Sequence, residues 1–138
     1  TLFPYTTLFR SYESTSNQQV KELITDFLND LRDQSLCGEV VEEIRKDFTW
    51  PTRSMLIASC WQSGLNYSGY LGDFAEMFVR GDYATALECF TVIESSSGHL
   101  NKDEKDLLIK LIKDNASKVA GEKTALAMEL LYFLEQTE

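Results

Sequence analysis

The chain has 138 residues, with 22 acidic against 13 basic side chains and a formal net charge of −9 at pH 7. This length suits one ordinary domain with a single hydrophobic core. Proteins that bind nucleic-acid phosphates or anionic lipids usually use clusters of Lys and Arg. The negative net charge therefore disfavours both kinds of binding. We therefore expect neither nucleic acid nor membrane among its partners.

Cysteine and histidine are scarce in the chain. The three cysteines, Cys37, Cys60 and Cys89, are far apart, and the single histidine is His99. An odd number of cysteines without a Cys-x-x-Cys pair disfavours a disulfide framework and a structural zinc site. We therefore expect free thiols and a cytoplasmic location.

The first eleven residues, Thr1 to Ser11, are unlike the rest of the chain. They read Thr-Leu-Phe-Pro-Tyr-Thr-Thr-Leu-Phe-Arg-Ser and resemble, without a gap, the in-frame translation of a common short-read sequencing adapter. The resemblance implies that residues 1–11 are non-native and that residues 12–138 are a single helical domain whose own N-terminus has been truncated. The alternative is a native β-strand, because the segment is rich in strand-forming apolar residues.

Hydrophobic periodicity predicts three helices in the first half of the chain. The first covers residues 16–33, and its expected buried residues are Val20, Leu23, Ile24, Phe27, Leu28 and Leu31. The second covers residues 39–48, and its expected buried residues are Val40, Val41, Ile44 and Phe48. Proline suits the first turn of a helix, so the third begins at Pro51, and Gly64 ends it.

Four more helices are predicted after Gly64. The residues expected to begin or end them are Asn66 or Ser68, Gly81, Asp82, Asn101 with Glu104 as a capping box, and Gly121. The last covers residues 122–136. Their expected buried residues are Tyr70, Leu71, Phe74, Ala75, Phe78, Val79, Ala86, Leu87, Phe90, Val92, Ile93, Leu107, Leu108, Leu111, Ile112, Val119, Leu126, Leu130, Leu131 and Leu134. Short loops make neighbouring helices antiparallel, so we predict an all-α fold of about seven helices in antiparallel hairpins.

A weak internal repeat accompanies these helices. A shift of about 40 residues lays Ala86 to Glu94 over Ala127 to Glu135 with mostly matching apolar positions. In this respect residues 51–138 resemble HEAT or armadillo-type repeats. The resemblance implies a right-handed stack, with helix pairs over 51–80 and 82–120 and the last helix opening a third pair or capping the stack. An irregular helical bundle is the alternative.

Two short stretches, 60–68 and 91–94, also resemble stretches of small bacterial proteins. This resemblance implies nothing about function.

Catalytic and cofactor motifs are missing from the sequence. His99 has no evident partner, and Cys60 and Cys89 lie on apolar helical stripes. The carboxylate clusters lack the glycine-bearing loop of a calcium site, and there is no glycine-rich phosphate loop, Gly-x-Ser-x-Gly or His-Glu-x-x-His. We therefore expect no enzyme, no catalytic residue, no cofactor and no metal.

One aromatic-rich stretch is a candidate for binding a partner. Its residues are Trp50, Arg53, Trp61, Tyr67 and Tyr70. Trp, Tyr and Arg are enriched at the energetic centres of protein interfaces. The alternative is that the aromatic rings fill the joint between helical hairpins.

These features together favour a protein-interaction module, a helical-repeat scaffold that binds a protein partner of basic character. The alternative function is an acidic inhibitor or immunity-type protein that neutralises a basic enzyme, since opposite charges steer such pairs together.

Overall fold

The computed structural model describes residues 5–136. Over this range the chain forms eight α-helices and no β-strand, which confirms the all-α prediction. The helices are α1 (Thr6–Ser14), α2 (Gln18–Asn29), α3 (Cys37–Ile44), α4 (Trp50–Gln62), α5 (Leu71–Arg80), α6 (Tyr83–Ser96), α7 (Lys102–Asp114) and α8 (Glu122–Gln136). The chain divides into two compact units, unit 1 up to Leu65 and unit 2 from Asn66.

Helix α1 is the element that the sequence patterns did not predict. It begins at Thr6, inside the adapter-like segment, and buries Phe9 completely. The strand alternative is therefore wrong for residues 6–11, and the part of it that falls on residues 1–4 lies outside the described residues. The adapter resemblance concerns the origin of the segment and stays a prediction.

All seven predicted helices are present, and α2, α3 and α7 end earlier than predicted. Helix α3 ends at Ile44, so Phe48, predicted to be buried on it, is buried beyond the helix. Helix α2 ends at Asn29, and the carboxylate of Asp33 then accepts the backbone N–H of Ser35 at 3.0 Å to open a 3-10 turn. Helix α7 ends at Asp114, so Val119, predicted to be buried on it, lies beyond the helix and is half-buried.

Unit 1 contains α1 to α4, and its core is apolar. The core residues are Phe9, Ile24, Leu28, Cys37, Val40, Val41, Ile44, Phe48, Leu56, Ile57 and Cys60. The carboxylate of Glu43 is buried beside them, where it accepts the hydroxyl of Thr6 and lies 2.6 Å from the ammonium of Lys46. These two partners compensate a charge that would be costly to bury alone.

Helix α2 buries a narrower face than predicted. Ile24 and Leu28 are buried, whereas Val20, Leu23 and Phe27 are exposed. Only the row formed by Ile24 and Leu28, four residues apart, is buried. The rest of the predicted apolar stripe lies outside that row on the helix.

The turn between α5 and α6 consists of Gly81 and Asp82. A Cβ atom on Gly81 would lie 2.9 Å from the carbonyl oxygen of Met77, so the turn requires glycine for steric reasons. Asp82 then caps α6 by accepting the backbone N–H of Thr85 at 2.8 Å. Both predicted boundary residues therefore have the expected roles.

Unit 2 has two layers of helices. Helix α5 packs along α6 and α7 packs along α8, while α5 also contacts α7 and α6 contacts α8. Helices α5 and α7 run in the same direction, because Leu71 and Glu104 near their beginnings line one recess and Val79 and Asn115 near their ends line another.

Three leucines of unit 2 that we predicted to be buried are exposed. The exposed fractions are 41% for Leu87, 68% for Leu107 and 37% for Leu111. On α7 the buried row consists of Leu108 and Ile112. Helix α7 therefore carries a second apolar row, Leu107 and Leu111, on the protein surface.

Candidate protein-interaction surfaces

The first candidate surface lies at the beginning of α4, where proline occupies the first turn. The guanidinium of Arg53 lies over the ring of Trp50, 4.7 Å from its centroid, and donates a hydrogen bond to the carbonyl of Lys46. Both side chains are half-buried. The stacked pair presents a flat cationic and aromatic patch, a combination suited to protein contact.

A carboxylate from α1 fixes the beginning of α4. Glu13 accepts the backbone N–H of Thr49, the residue before α4, at 3.2 Å. Burial raises the pKa of Glu13, but hydrogen bonds from Thr52 and Thr49 outweigh burial and hold its pKa below the usual range. Glu13 is therefore ionised at neutral pH and orders the end of α4 that carries Trp50.

The remaining predicted residues are divided between the two units. Trp61 is half-buried in the last turn of α4, in unit 1. In unit 2, Tyr70 is half-buried and Tyr67 is only 1% exposed. The ring of Tyr67 meets Phe74 edge-on, with centroids 5.8 Å apart. Tyr67 is therefore a packing residue of unit 2, as the joint-filling alternative predicts for it.

The second candidate surface is a groove in unit 2 that sequence reasoning missed. It consists of two adjoining recesses between α5 and α7, of about 240 and 320 Å³, which share Gly72 and Leu111. We call it the α5–α7 groove, and its lining residues are Ser68, Gly69, Leu71, Gly72, Ala75, Glu76, Val79, Arg80, Leu100, Glu104, Leu107, Leu108, Leu111, Asn115 and Lys118. Small residues at 72 and 75 keep its α5 wall low, so a side chain from another molecule can enter.

The α5–α7 groove has opposite charges at its two ends. Glu104 lines the end near the beginning of α7, where its carboxylate also accepts the backbone N–H of Asn101 at 3.0 Å. Arg80 and Lys118 line the other end, and Arg80 lies 3.4 Å from Glu76. Glu76 offsets the charge of Arg80, so Lys118 leaves the second end net positive. Gly72, Ala75 and Leu111 lie between the two ends, so a bound partner must match the order of the charges along the groove.

The sequence does contain a signal for this groove, in the width of the apolar face of α7. Leu107, Leu108, Leu111 and Ile112 form two neighbouring rows, and contact with the rest of unit 2 buries one of them. An apolar face wider than its intramolecular contacts require indicates a second contact. The sequence does not show which of the two rows packs against the rest of unit 2.

The side chains that could perform chemistry are dispersed. Cys37, Cys60 and Cys89 lie on three different helices, form no disulfide with one another and are each at most 1% exposed. His99 is exposed in a short 3-10 turn. Within residues 5–136, no group of three or more His, Cys, Asp or Glu side chains is placed to hold a metal ion.

Lys123, at the beginning of α8, has an ammonium group engaged with the end of α5. It donates to the carbonyl oxygens of Val79 and Gly81 at 2.6 and 2.7 Å. Burial lowers the pKa of Lys123, and the neighbouring Cys89 and Asp82 oppose that effect. Cations are stabilised at the C-terminal end of a helix, so Lys123 acts as a cap between two helices.

None of the helices in residues 5–136 combines the length and the apolar character that a bilayer crossing requires. Comparisons with protein-family models, with curated proteins and with solved structures find no match to the chain. Function must therefore be inferred from the residues of the chain itself.

Proposed function

We propose that the chain is a protein-interaction module that binds its partner in the α5–α7 groove and has no catalytic activity. The observation that carries this proposal is the exposed apolar row of α7, Leu107 and Leu111, beside a groove with small residues on its opposite wall. Covering such a row is favourable by about 25 cal/mol for each Å² of apolar surface removed from water. The dispersed cysteines and the exposed His99 support a role in binding.

The layered order of unit 2 supports the resemblance to HEAT-like helical repeats. In such stacks, hairpins lie side by side and one layer of helices forms an extended binding surface. The α5–α7 groove lies along one of the two layers. We propose this scaffold role for unit 2, on the strength of the helix order alone.

We also propose that the chain works in the cytoplasm and does not bind nucleic acid, and that any basic protein partner binds the acidic surface outside the groove. The net charge of −9 supports such a partner and opposes a phosphate backbone. The three buried cysteines, none of which is in a disulfide, suit a reducing compartment.

Site-specific photo-crosslinking tests the proposed surface. A photoreactive phenylalanine analogue at position 107 should give a discrete covalent adduct with a protein in cells that express the chain. The matched control places the same group at Met128, which is 67% exposed on α8 and therefore as accessible as Leu107. Equal adducts from both positions, or none from position 107, would contradict the proposal.

A second candidate function is the acidic inhibitor. The observation that favours it is the exposed pair of acids on α3, Glu39 and Glu42, in the unit that also carries the Trp50 and Arg53 stack. Such an inhibitor binds less tightly as salt screens its charges. Affinity for a basic enzyme that does not change between 50 and 500 mM salt would exclude this candidate.

A further inference from the structure

We propose that the occupant of the α5–α7 groove is a second copy of this chain, related by a two-fold axis that passes near Leu111. The inference rests on the proposed function of that groove and names its partner. A two-fold interface uses the same patch on both molecules, so the patch must be complementary to itself when it is turned end to end. The groove meets this requirement in its charges and in its apolar contacts.

The charges of the groove are self-complementary. Glu104 lines the recess at one end of the groove, Lys118 lines the recess at the other, and Leu111 lines both recesses. A two-fold axis at Leu111 therefore brings Glu104 of each copy to Lys118 of the other. Both positions are exposed, and such pairs select the orientation and register of an interface more than they add affinity.

The apolar contacts are self-complementary in the same register. Leu107 precedes Leu111 by about one helical turn, and Asn115 follows it by the same amount. The axis that opposes the two Leu111 side chains therefore places each Leu107 over the 320 Å³ recess lined by Ala75, Val79, Leu111 and Asn115 of the other copy. A recess of this size accommodates a leucine side chain that is now 68% exposed to water.

A second copy explains the order of the charges along the groove better than a foreign helix does. The charges of a different protein can complement any order of charges along the groove, because its sequence varies independently of this one. A partner with the same groove, turned end to end, requires opposite signs at the two ends. Glu104 and Lys118, which line opposite ends, satisfy that condition.

Sedimentation velocity of the full chain over a hundredfold concentration range tests the proposal. The wild type should change from monomer to dimer. Leu107→Asp should raise the dimer dissociation constant by about tenfold or more, since it places a charge in an apolar recess. Met128→Asp adds the same charge at a similarly exposed position and should leave the dissociation constant unchanged. A monomeric wild type, or a dimer insensitive to Leu107→Asp, would overturn the proposal.

A charge exchange tests the register. Lys118→Glu should weaken the dimer, because it opposes two carboxylates across the axis, and Glu104→Lys should weaken it for the converse reason. The double variant restores the pair and should recover the dimer within about threefold of the wild type. The side chain of Asn101 still caps α7 in these variants, and circular dichroism checks that helix content is kept. Failure of the double variant to recover the dimer would exclude this register.

The two proposals fail in different ways. If the wild type stays monomeric while position 107 crosslinks to a different protein, the second copy is excluded and the interaction module stands. If position 107 gives no adduct of any kind, both proposals fail.

Discussion

At the scale of single residues, the helix boundaries of unit 2 depend on a few polar side chains. Asp82 accepts the backbone N–H of Thr85 at 2.8 Å, and hydrogen bonding from Thr85 lowers the pKa of Asp82. The folded protein therefore favours the ionised carboxylate, and the cap contributes more to stability when it is ionised than when it is protonated. These boundaries were predictable, because glycine and Asp at a turn have specific local roles.

We predict that acid weakens the contribution of Asp82. The folded-state pKa lies below the unfolded value, so this contribution is complete above the ordinary pKa near 4 and is lost as the pH falls through the folded value. Asn caps helices as well as Asp does but does not titrate. Urea unfolding at pH 2 to 6 should therefore show the advantage of wild type over Asp82→Asn shrinking below about pH 4. A pH-independent difference would count against this role.

The burial of the aromatic side chains could not be predicted from the sequence. The sequence groups Trp50, Trp61 and Tyr67 near helix ends, and that placement is correct. Whether a ring is covered depends on what packs against it, as Phe74 does against Tyr67. No local pattern distinguishes the buried Tyr67 from the half-buried Tyr70.

At the scale of elements, the turn between α5 and α6 depends on the absence of a side chain. A Cβ atom at position 81 would approach the Met77 carbonyl to 2.9 Å and Thr85 to 3.0 Å. We predict that Gly81→Ala lowers the free energy of unfolding by roughly 1–3 kcal/mol, because the turn must shift to make room. Gly69→Ala is the control, since a Cβ atom there would have nothing within 4 Å. Equal effects in urea unfolding would refute this explanation.

The contact between α8 and the end of α5 gives a second prediction at this scale. Lys123→Met keeps the aliphatic stem but leaves the carbonyls of Val79 and Gly81 without their donor. We expect a loss of about 1–2 kcal/mol in the free energy of unfolding. Lys102→Met removes an exposed ion pair with Asp106 and should cost less than about 0.5 kcal/mol. Similar losses in the two variants would argue against the capping role.

Helix prediction succeeded where a signal was local. The capping box of Asn101 and Glu104 is present, with both of its hydrogen bonds, and α8 has the predicted bounds. Helix α1 was not predicted, because residues 1–11 resemble an adapter and were set apart. The buried faces of α2 and α7 were predicted too wide, because periodicity identifies apolar rows without identifying their neighbours. Sequencing the genomic locus upstream of Tyr12 decides the origin of the first residues.

At the scale of the whole molecule, the two leucine rows of α7 have different roles. Leu108 is 5% exposed and Leu107 is 68% exposed. We predict that Leu108→Asp destabilises the fold by more than about 3 kcal/mol, because it buries a charge, and that Leu107→Asp changes the monomer by no more than about 0.5 kcal/mol. Thermal unfolding of both variants at a concentration below dimer formation compares them. Equal destabilisation would mean that both rows belong to the core.

The layered order of unit 2 could not be predicted from the sequence, which signals the groove only through the wide apolar face of α7. The repeat pattern indicates that helices pair, and the implied pairs 51–80 and 82–120 stay a prediction, whereas within unit 2 α5 packs along α6. Pairing depends on loop geometry and on which faces meet, and these are properties of the assembled helices. The groove exists only once α5 and α7 lie side by side, so no single segment encodes it.

Thiol labelling in cells tests the central claim most directly, namely that the α5–α7 groove is covered by a partner. The native cysteines are all buried, so Leu107→Cys and Met128→Cys each introduce one exposed thiol among residues 5–136. We predict that a maleimide reagent labels position 107 at least about tenfold more slowly in the cell than in dilute purified protein, while the labelling rate at position 128 changes little. Equal labelling of the two positions in the cell would contradict the account.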